Sequence, residues 1–339
     1  MDKAGWTSGF SGQDLFDFDL KMAVNLIEKS RAKVIGIQVP EGLKRAAPFI
    51  AREIEKRTNA TVVISGDPCY GACDVDMELC KDVDLLIHIG HSEMLIGDPE
   101  LDRVIYLEAR MKVDVKEVVT KAASLLKSKR VGVITTVQHH HKIDEIIEAL
   151  RERGIEGMVG SGGERLRYPG QVLGCNYDAA KCLDVDEYLF VGTGKFHPIG
   201  VALSTGKRVI AADPVSSEVV LIDPDPMIKR RYGAIARAMD ARKIAVLVSK
   251  KPGQKRWNEA HKMMDLGEKN DKDMILVYLD RIEPDVLINL GVEAAVCTAC
   301  PRIALDDQAK YPVPMLTPPE FEILLGECVS KNYILDEIK

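Results

Sequence analysis

Aromatic residues make up only 5% of the 339-residue chain, and no apolar run reaches the roughly 20 residues that cross a bilayer. The scarcity of aromatics argues against a stacking platform for single-stranded nucleic acid, and the missing run against a membrane span. No long basic block occurs and the net charge is −6, which disfavours direct binding to a nucleic acid backbone. Residues 1–20 are acidic and polar, unlike the basic-then-apolar pattern of a secretory signal. There is no P-loop, no full GxGxxG after a first strand and no GxSxG elbow, so nucleotide hydrolysis, ordinary nicotinamide chemistry and esterase chemistry lose their usual marks. A cytoplasmic chain is expected. In a reducing compartment its eight cysteines point to metal or catalytic roles rather than disulfides.

What the chain does have is 46% hydrophobic and 29% charged residues, close to a soluble globular average. Its length suggests two to three domains at roughly 150 residues each. Short β-branched runs alternate with helical stretches, the mark of parallel α/β sheets. First-strand candidates are 33–38 (KVIGIQ), 130–135 (RVGVIT) and 243–248 (KIAVLV). Last-strand candidates begin at 103 (RVIYL), 208 (RVIAA) and 313 (VPML), in even steps of 105 residues. A unit long enough to carry its own core is therefore repeated three times. A shift of 102 lays Cys73–Cys80 over Cys175–Cys182 and Gly90 over Gly192 without a gap. A shift of 209 lays Glu293 over Asp84 and Cys300 over His91. Boundaries near 110 and 215 divide the chain into 1–110, 111–215 and 216–339.

Ligands sit outside the carboxyl ends of parallel strands. The loops expected there are 38–42 (QVPEG), 90–92 (GHS), 135–139 (TTVQH), 192–197 (GTGKFH) and 300–302 (CPR). Any one of them reads as a turn; five in equivalent places point to a shared site. Cys73, Cys175 and Cys300 are expected at one loop position in each unit, with Asp74 and Asn176 as helix N-caps beside the first two. Three thiolates at the centre of a triangle suit an iron–sulfur cluster with one iron left open. Cys80 and Cys182 read as core residues inside helices, Cys297 as a buried strand residue and Cys328 as filler. Cys69 ranks behind Cys73, since Gln171 takes its place in the second unit. A zinc site from Cys69, Cys73, Cys297 and Cys300 stays open, although structural zinc normally clips a local knuckle. The radical-enzyme loop CxxxCxxC is absent. The run 139–141 (HHH) reads as a solvated turn, whereas His91 and His197 suit ligand contact or proton transfer. Lys195 and Arg302 suit a carboxylate, and Asp306 and Asp307 either meet an amino group or cap a helix.

Several stretches together resemble one family: 39–43 (VPEGL), 70–74 (YGACD), 86–92 (LIHIGHS), 168–177 (YPGQVLGCNY), 196–198 (FHP), 238–241 (AMDA), 299–302 (ACPR) and 305–307 (LDD). They are similar to the archaeal 2-(3-amino-3-carboxypropyl)histidine synthases of the first step of diphthamide synthesis, in order and across nearly the whole chain. Residues 1 to 18 look like an extension beyond that pattern, and Cys69 and Cys297 are extra thiols. The resemblance implies an α/β chain of three similar domains, each a small parallel sheet with flanking helices. These would form a pseudo-threefold triangle around a [4Fe–4S] cluster held by Cys73, Cys175 and Cys300, in a homodimer. It further implies S-adenosylmethionine as co-substrate, an electron donor, and radical transfer of the 3-amino-3-carboxypropyl group to a histidine of translation elongation factor 2. Gln38, His91, Thr136, Gln138, Gly192, His197 and Asp306 are the candidates for the S-adenosylmethionine pocket. Quinolinate-synthase-like dehydratases are similar in architecture and cluster and form the alternative; a metal-stabilised, non-enzymatic scaffold is a third reading.

Overall fold

The computed structural model describes residues 15–94, 98–328 and 332–339. Most of the N-terminal extension lies outside the described residues; its end forms β1 (Phe16–Phe18). The β-branched runs fold as expected. β2 (Val34–Gln38), β3 (Thr61–Ile64), β4 (Leu85–Ile89) and β5 (Val104–Leu107) make a parallel sheet of order β3-β2-β4-β5. β6 (Ala109–Met111) then pairs antiparallel with β1. The second sheet runs β8-β7-β9-β10-β11, from β7 (Arg130–Thr135), β8 (Glu156–Met158), β9 (Glu187–Val191), β10 (Arg208–Ala212) and β11 (Val219–Leu221). Only β11 is antiparallel there. The third runs β13-β12-β14-β15, from β12 (Lys243–Ser249), β13 (Asp273–Leu279), β14 (Ala294–Cys297) and β15 (Met315–Leu316), all parallel.

Each sheet therefore begins from one topology: second strand, first, third, fourth. Register repeats as well. Gly36 faces Leu86, Gly132 faces Tyr188 and Ala245 faces Ala295, positions related by the same shifts of 102 and 209 on the third strand. The small residue in each pair admits its partner: a Cβ on Gly132 would stand 2.4 Å from the Tyr188 ring. An acid at the start of the third strand holds the start of the first. Asp84 accepts from the backbone N–H of Lys33 and Val34, Glu187 from Lys127 and Ser128, and Glu293 from Arg242 and Lys243. In the second sheet this role falls one residue beyond the Asp186 that the shift pairs with Asp84. Parallel strands are covered on both faces, and each sheet has two apolar clusters, one per side. With the cores behind the sheets, the chemistry-bearing side chains collect at the strands' carboxyl ends.

Candidate metal centre and active site

Cys73 lies between β3 and the helix Met77–Asp82, and Cys175 just ahead of the one-turn helix Asp178–Lys181. Cys300 differs from both: it follows β14, directly before the helix Pro301–Leu305. The expectation of one equivalent loop position is corrected, because two of the thiols precede the third strand of their sheet and one follows it. The cap beside Cys73 is corrected too. Asp76 accepts from Leu79 N at 2.9 Å, whereas Asp74 turns inward, buried, to Lys251 Nζ at 2.6 Å and Tyr70 N at 3.1 Å. Asn176 does accept from Asp178 N at 3.1 Å, within a turn whose helix begins only at Asp178.

The three thiols nevertheless feel one another. Burial raises the pKa of each, that of Cys175 to about 11; charge on Cys73 raises the other two further, and charge on Cys175 raises Cys300. Cys69, His88 and His91 are the only group of three His, Cys, Asp or Glu ligand atoms within 4.8 Å of one another among the described residues. Cys73, Cys175 and Cys300 do not form such a group, and neither do Cys69, Cys73, Cys297 and Cys300, as a zinc knuckle would require. Segments distant in sequence close over the thiols. Gln254 Nε2 donates to Cys73 Sγ at 3.2 Å, Gly253 N to Cys73 O at 3.3 Å, and Arg165 Nη2 to Gly253 O at 3.0 Å. Arg165 also draws the Cys175 thiol down against the rise from burial. Ile338 N, near the C-terminus, donates to Cys175 O at 2.8 Å.

The expected pocket residues fall into two sets. Gln38 is buried between Asp74 O (2.7 Å), Asp76 N (3.1 Å) and His88 Nδ1 (2.9 Å). His91 Nδ1 lies 2.9 Å from His88 Nε2, and burial lowers the pKa of His91 to about 4. Gln138 Nε2 reaches Gly90 O at 3.4 Å, and Gln171 reaches Ser92 Oγ at 2.8 Å, joining the first two units. The carbonyl of Thr136 accepts from His139 N, and Gly192 lies beside the His139 ring. His197 stacks near-parallel on Phe190, and burial, helped by the Arg302 charge, lowers its pKa to about 4. Asp306 stands apart from that set: exposed, it accepts from Arg302 Nε at 2.8 Å. Lys195 meets Glu218 on the surface, 3.8 Å away.

Two further expectations give way. His139 is buried, not solvated, and neither ring nitrogen has a hydrogen-bond partner; the 135–139 loop turns it inward beneath Gly192. Cys182 is exposed at the end of a single helical turn, whereas Cys80 and Cys297 are buried as expected. Sequence reasoning passed over His88, visible only as part of the HIGH stretch at 88–91, and over Arg165, Gln254 and the C-terminal tail, which carry no sequence signal.

Residues 39–334 match the family model described as "Putative diphthamide synthesis protein". The chain is 40% identical over 316 residues to 2-(3-amino-3-carboxypropyl)histidine synthase of Pyrococcus horikoshii, covering 92% of this chain and 91% of that one. It is 31% identical over 353 residues to the protein of the same name from Methanocaldococcus jannaschii, covering 96% and 94%. Among solved structures it is similar to the crystal structure of Dph2 from Pyrococcus horikoshii with a 4Fe-4S cluster, at TM-score 0.89 and 38% identity over 96% of this chain and 94% of that one. No helix of the described residues is long and apolar enough to cross a membrane. With this likeness along nearly its whole length, the chain belongs to the diphthamide synthesis family and is an enzyme of that synthesis, a transferase.

Proposed function

We propose that this enzyme transfers the 3-amino-3-carboxypropyl group of S-adenosylmethionine to a histidine of translation elongation factor 2, by a radical route, with Cys73, Cys175 and Cys300 as ligands of a [4Fe–4S] cluster. One observation carries the reading: three thiols, one from the loops of each sheet, couple by charge without closing into a compact three-ligand group of the single-ion kind. That donor set fits a multi-iron cluster better than a lone zinc. When bound, such a cluster supplies one electron and an open iron for the co-substrate. The protein's share is orientation and exclusion of water. Gln254 and Gly253 hold the Cys73 loop, Arg165 brings positive charge beside Cys175, and the tail residue Ile338 fixes the Cys175 backbone. Gln38, His91, Thr136, Gln138, Gly192 and His197 line the co-substrate pocket in this reading, and Asp306 orients Arg302 at its rim.

We take the units of this enzyme as residues 1–110, 111–215 and 216–339, with the second boundary shifted past Leu221 by β11, which pairs with β10 in the second sheet. It works in the cytoplasm as a homodimer, served by an electron donor. The test uses anaerobically reconstituted protein, dithionite, labelled S-adenosylmethionine and elongation factor 2. Methylthioadenosine and a modified histidine are expected; deoxyadenosine as main product, or an unmodified acceptor beside abundant methylthioadenosine, overturns the reading. Cys73→Ala, Cys175→Ala and Cys300→Ala should each lose the iron, and Cys80→Ala should keep it.

A further inference from the structure

Cys69, His88 and His91 lie apart from the three proposed cluster ligands in sequence, and their ligand atoms are close enough together to share one ion. His88 belongs to β4 and is fully buried; Cys69 is 2% exposed; His91 follows β4 on the loop facing the site. Cys69 Sγ is 3.9 Å from His88 Nε2, which is 2.9 Å from His91 Nδ1, and all three atoms lie within 4.8 Å of one another. Zinc bonds of about 2.0–2.1 Å to nitrogen and 2.3 Å to sulfur put tetrahedral neighbours about 3.3 Å apart for N···N and about 3.6 Å for S···N. The Cys69–His88 and His88–His91 separations come within about 0.4 Å of those values.

The surroundings fix which nitrogen faces the gap. Gln38 Nε2 donates to Asp74 O, and Gln38 Oε1 accepts from Asp76 N, so the amide can be read in one orientation only. His88 Nδ1, 2.9 Å from that Oε1, must then be the donor, and a neutral ring presents a bare Nε2 to Cys69 and His91. A ring whose far nitrogen donates to a fixed amide or carbonyl oxygen is the usual support of a metal-bound histidine.

We propose that Cys69, His88 and His91 bind a zinc ion, as a site separate from the cysteine-held cluster. One thiolate and two imidazoles make a borderline-soft set that suits zinc and not magnesium or calcium. Binding displaces one proton, that of the Cys69 thiol, to solvent. In the metal-free site the His91 Nδ1–H donates to the bare His88 Nε2; binding breaks that bond and moves the ring proton through solvent to His91 Nε2, so no charge changes on either ring. Three protein donors leave a fourth tetrahedral position for water or another donor atom.

The test starts from full-length chain reconstituted anaerobically with iron and sulfide, equilibrated with zinc sulfate, desalted and analysed for both metals. One zinc per chain is expected in addition to the iron. Cys69→Ser and His91→Gln should each weaken zinc binding at least tenfold in competition with a chromophoric chelator while leaving the iron content unchanged. Measured without zinc, their unfolding midpoints should stay near that of the parent, and either variant suffices if the other fails to fold. Zinc content equal in parent and variants overturns the proposal. Iron lost together with zinc in Cys69→Ser also overturns it, making Cys69 a cluster ligand, whereas iron lost only in Cys73→Ser bears on the cluster reading alone.

Discussion

Gly253→Ala is the most direct probe of how the third unit holds the Cys73 loop. A Cβ at this position would stand 2.4 Å from Cys73 Cβ, 2.7 Å from Cys73 Cα and 2.6 Å from Met94 Cε. Met94 can swing away, but the Cys73 backbone cannot. Restoring ordinary contact at 3.4 Å requires the turn Pro252–Gln254 to retreat by about 1 Å. That retreat stretches the Gln254 Nε2 to Cys73 Sγ bond beyond its 3.2 Å and loosens the Arg165 bond to Gly253 O. Overpacking of this kind costs about 1–3 kcal/mol, and a lost hydrogen bond about 1 more. Two other glycines calibrate the figure. At Gly174 the obstacles are side-chain atoms, Phe196 Cε1 at 2.8 Å and Arg302 Cδ at 2.9 Å, rather than backbone, so Gly174→Ala should cost less. At Gly66 nothing lies within 4 Å, and Gly66→Ala should be neutral or stabilise by up to about 1 kcal/mol. Urea unfolding followed by circular dichroism measures all three, with iron retained after desalting as a second readout. A Gly253→Ala protein as stable as Gly66→Ala would refute the claim that the two backbones meet this closely.

Burial lowers His139 from the ordinary 6.5 to about 4, so the folded chain keeps this ring neutral where the unfolded chain protonates it. Its stabilising effect is complete above pH 6.5 and is lost as pH falls toward 4, about 2 kcal/mol by pH 5 at 1.36 kcal/mol per unit. Urea midpoints at pH 7 and pH 5 should therefore diverge less in His139→Leu than in the parent; equal divergence defeats the assignment. Arg231 and Glu320 form a buried ion pair, Nε–Oε1 at 2.7 Å and Nη2–Oε2 at 2.6 Å, and Arg231 also donates to Ala304 O in the helix after Cys300. Glu320→Leu strands the guanidinium and should cost about 3–5 kcal/mol in urea unfolding, with much of it recovered in the Arg231→Met, Glu320→Leu double variant. Removing residues 332–339 should speed hydrogen exchange at Tyr177 N, which donates to Glu337 Oε2 at 3.1 Å, and leave exchange in β7 unchanged.

The strands were legible because parallel strands buried on both faces leave unbroken β-branched runs, and those runs recur at fixed spacing. Caps were less so. Asp74 and Asp76 are equally good capping residues by type, and what assigns the cap to Asp76 is Lys251, far away in the chain, which claims Asp74 for an ion pair. The histidine run misled for a similar reason, since a polar tract at a strand end reads as solvated until Gly192 is seen to cover it. The tail has no periodicity to read, yet Arg256 grips Asp336 at 2.8 and 3.0 Å, and Lys181 grips Glu337 at 2.9 Å.

The repeat also bears on how the two proposed centres are related. The shift of 209 places Cys297 over His88 and Cys300 over His91, two residues at the end of the third strand and just beyond it. In the first sheet that pair is imidazole with imidazole, and it closes on Cys69. In the third it is thiol with thiol: Cys297 turns back toward Cys300 O at 3.6 Å, and Cys300 is left to face Cys73 and Cys175. The same corner of the same fold thus presents borderline-soft donors twice, three residues apart each time. Strand ends fix where such a pair points, and the residue types decide whether it serves its own unit or the common centre. Exchanging chemistry between the corners is therefore informative. Cys297→Ala removes the buried partner without touching a proposed ligand and should leave both iron and zinc contents unchanged, because its thiol is occupied by a backbone carbonyl of its own turn. Loss of iron in that variant would make Cys297, rather than Cys300, the third unit's ligand and would break the correspondence argued here.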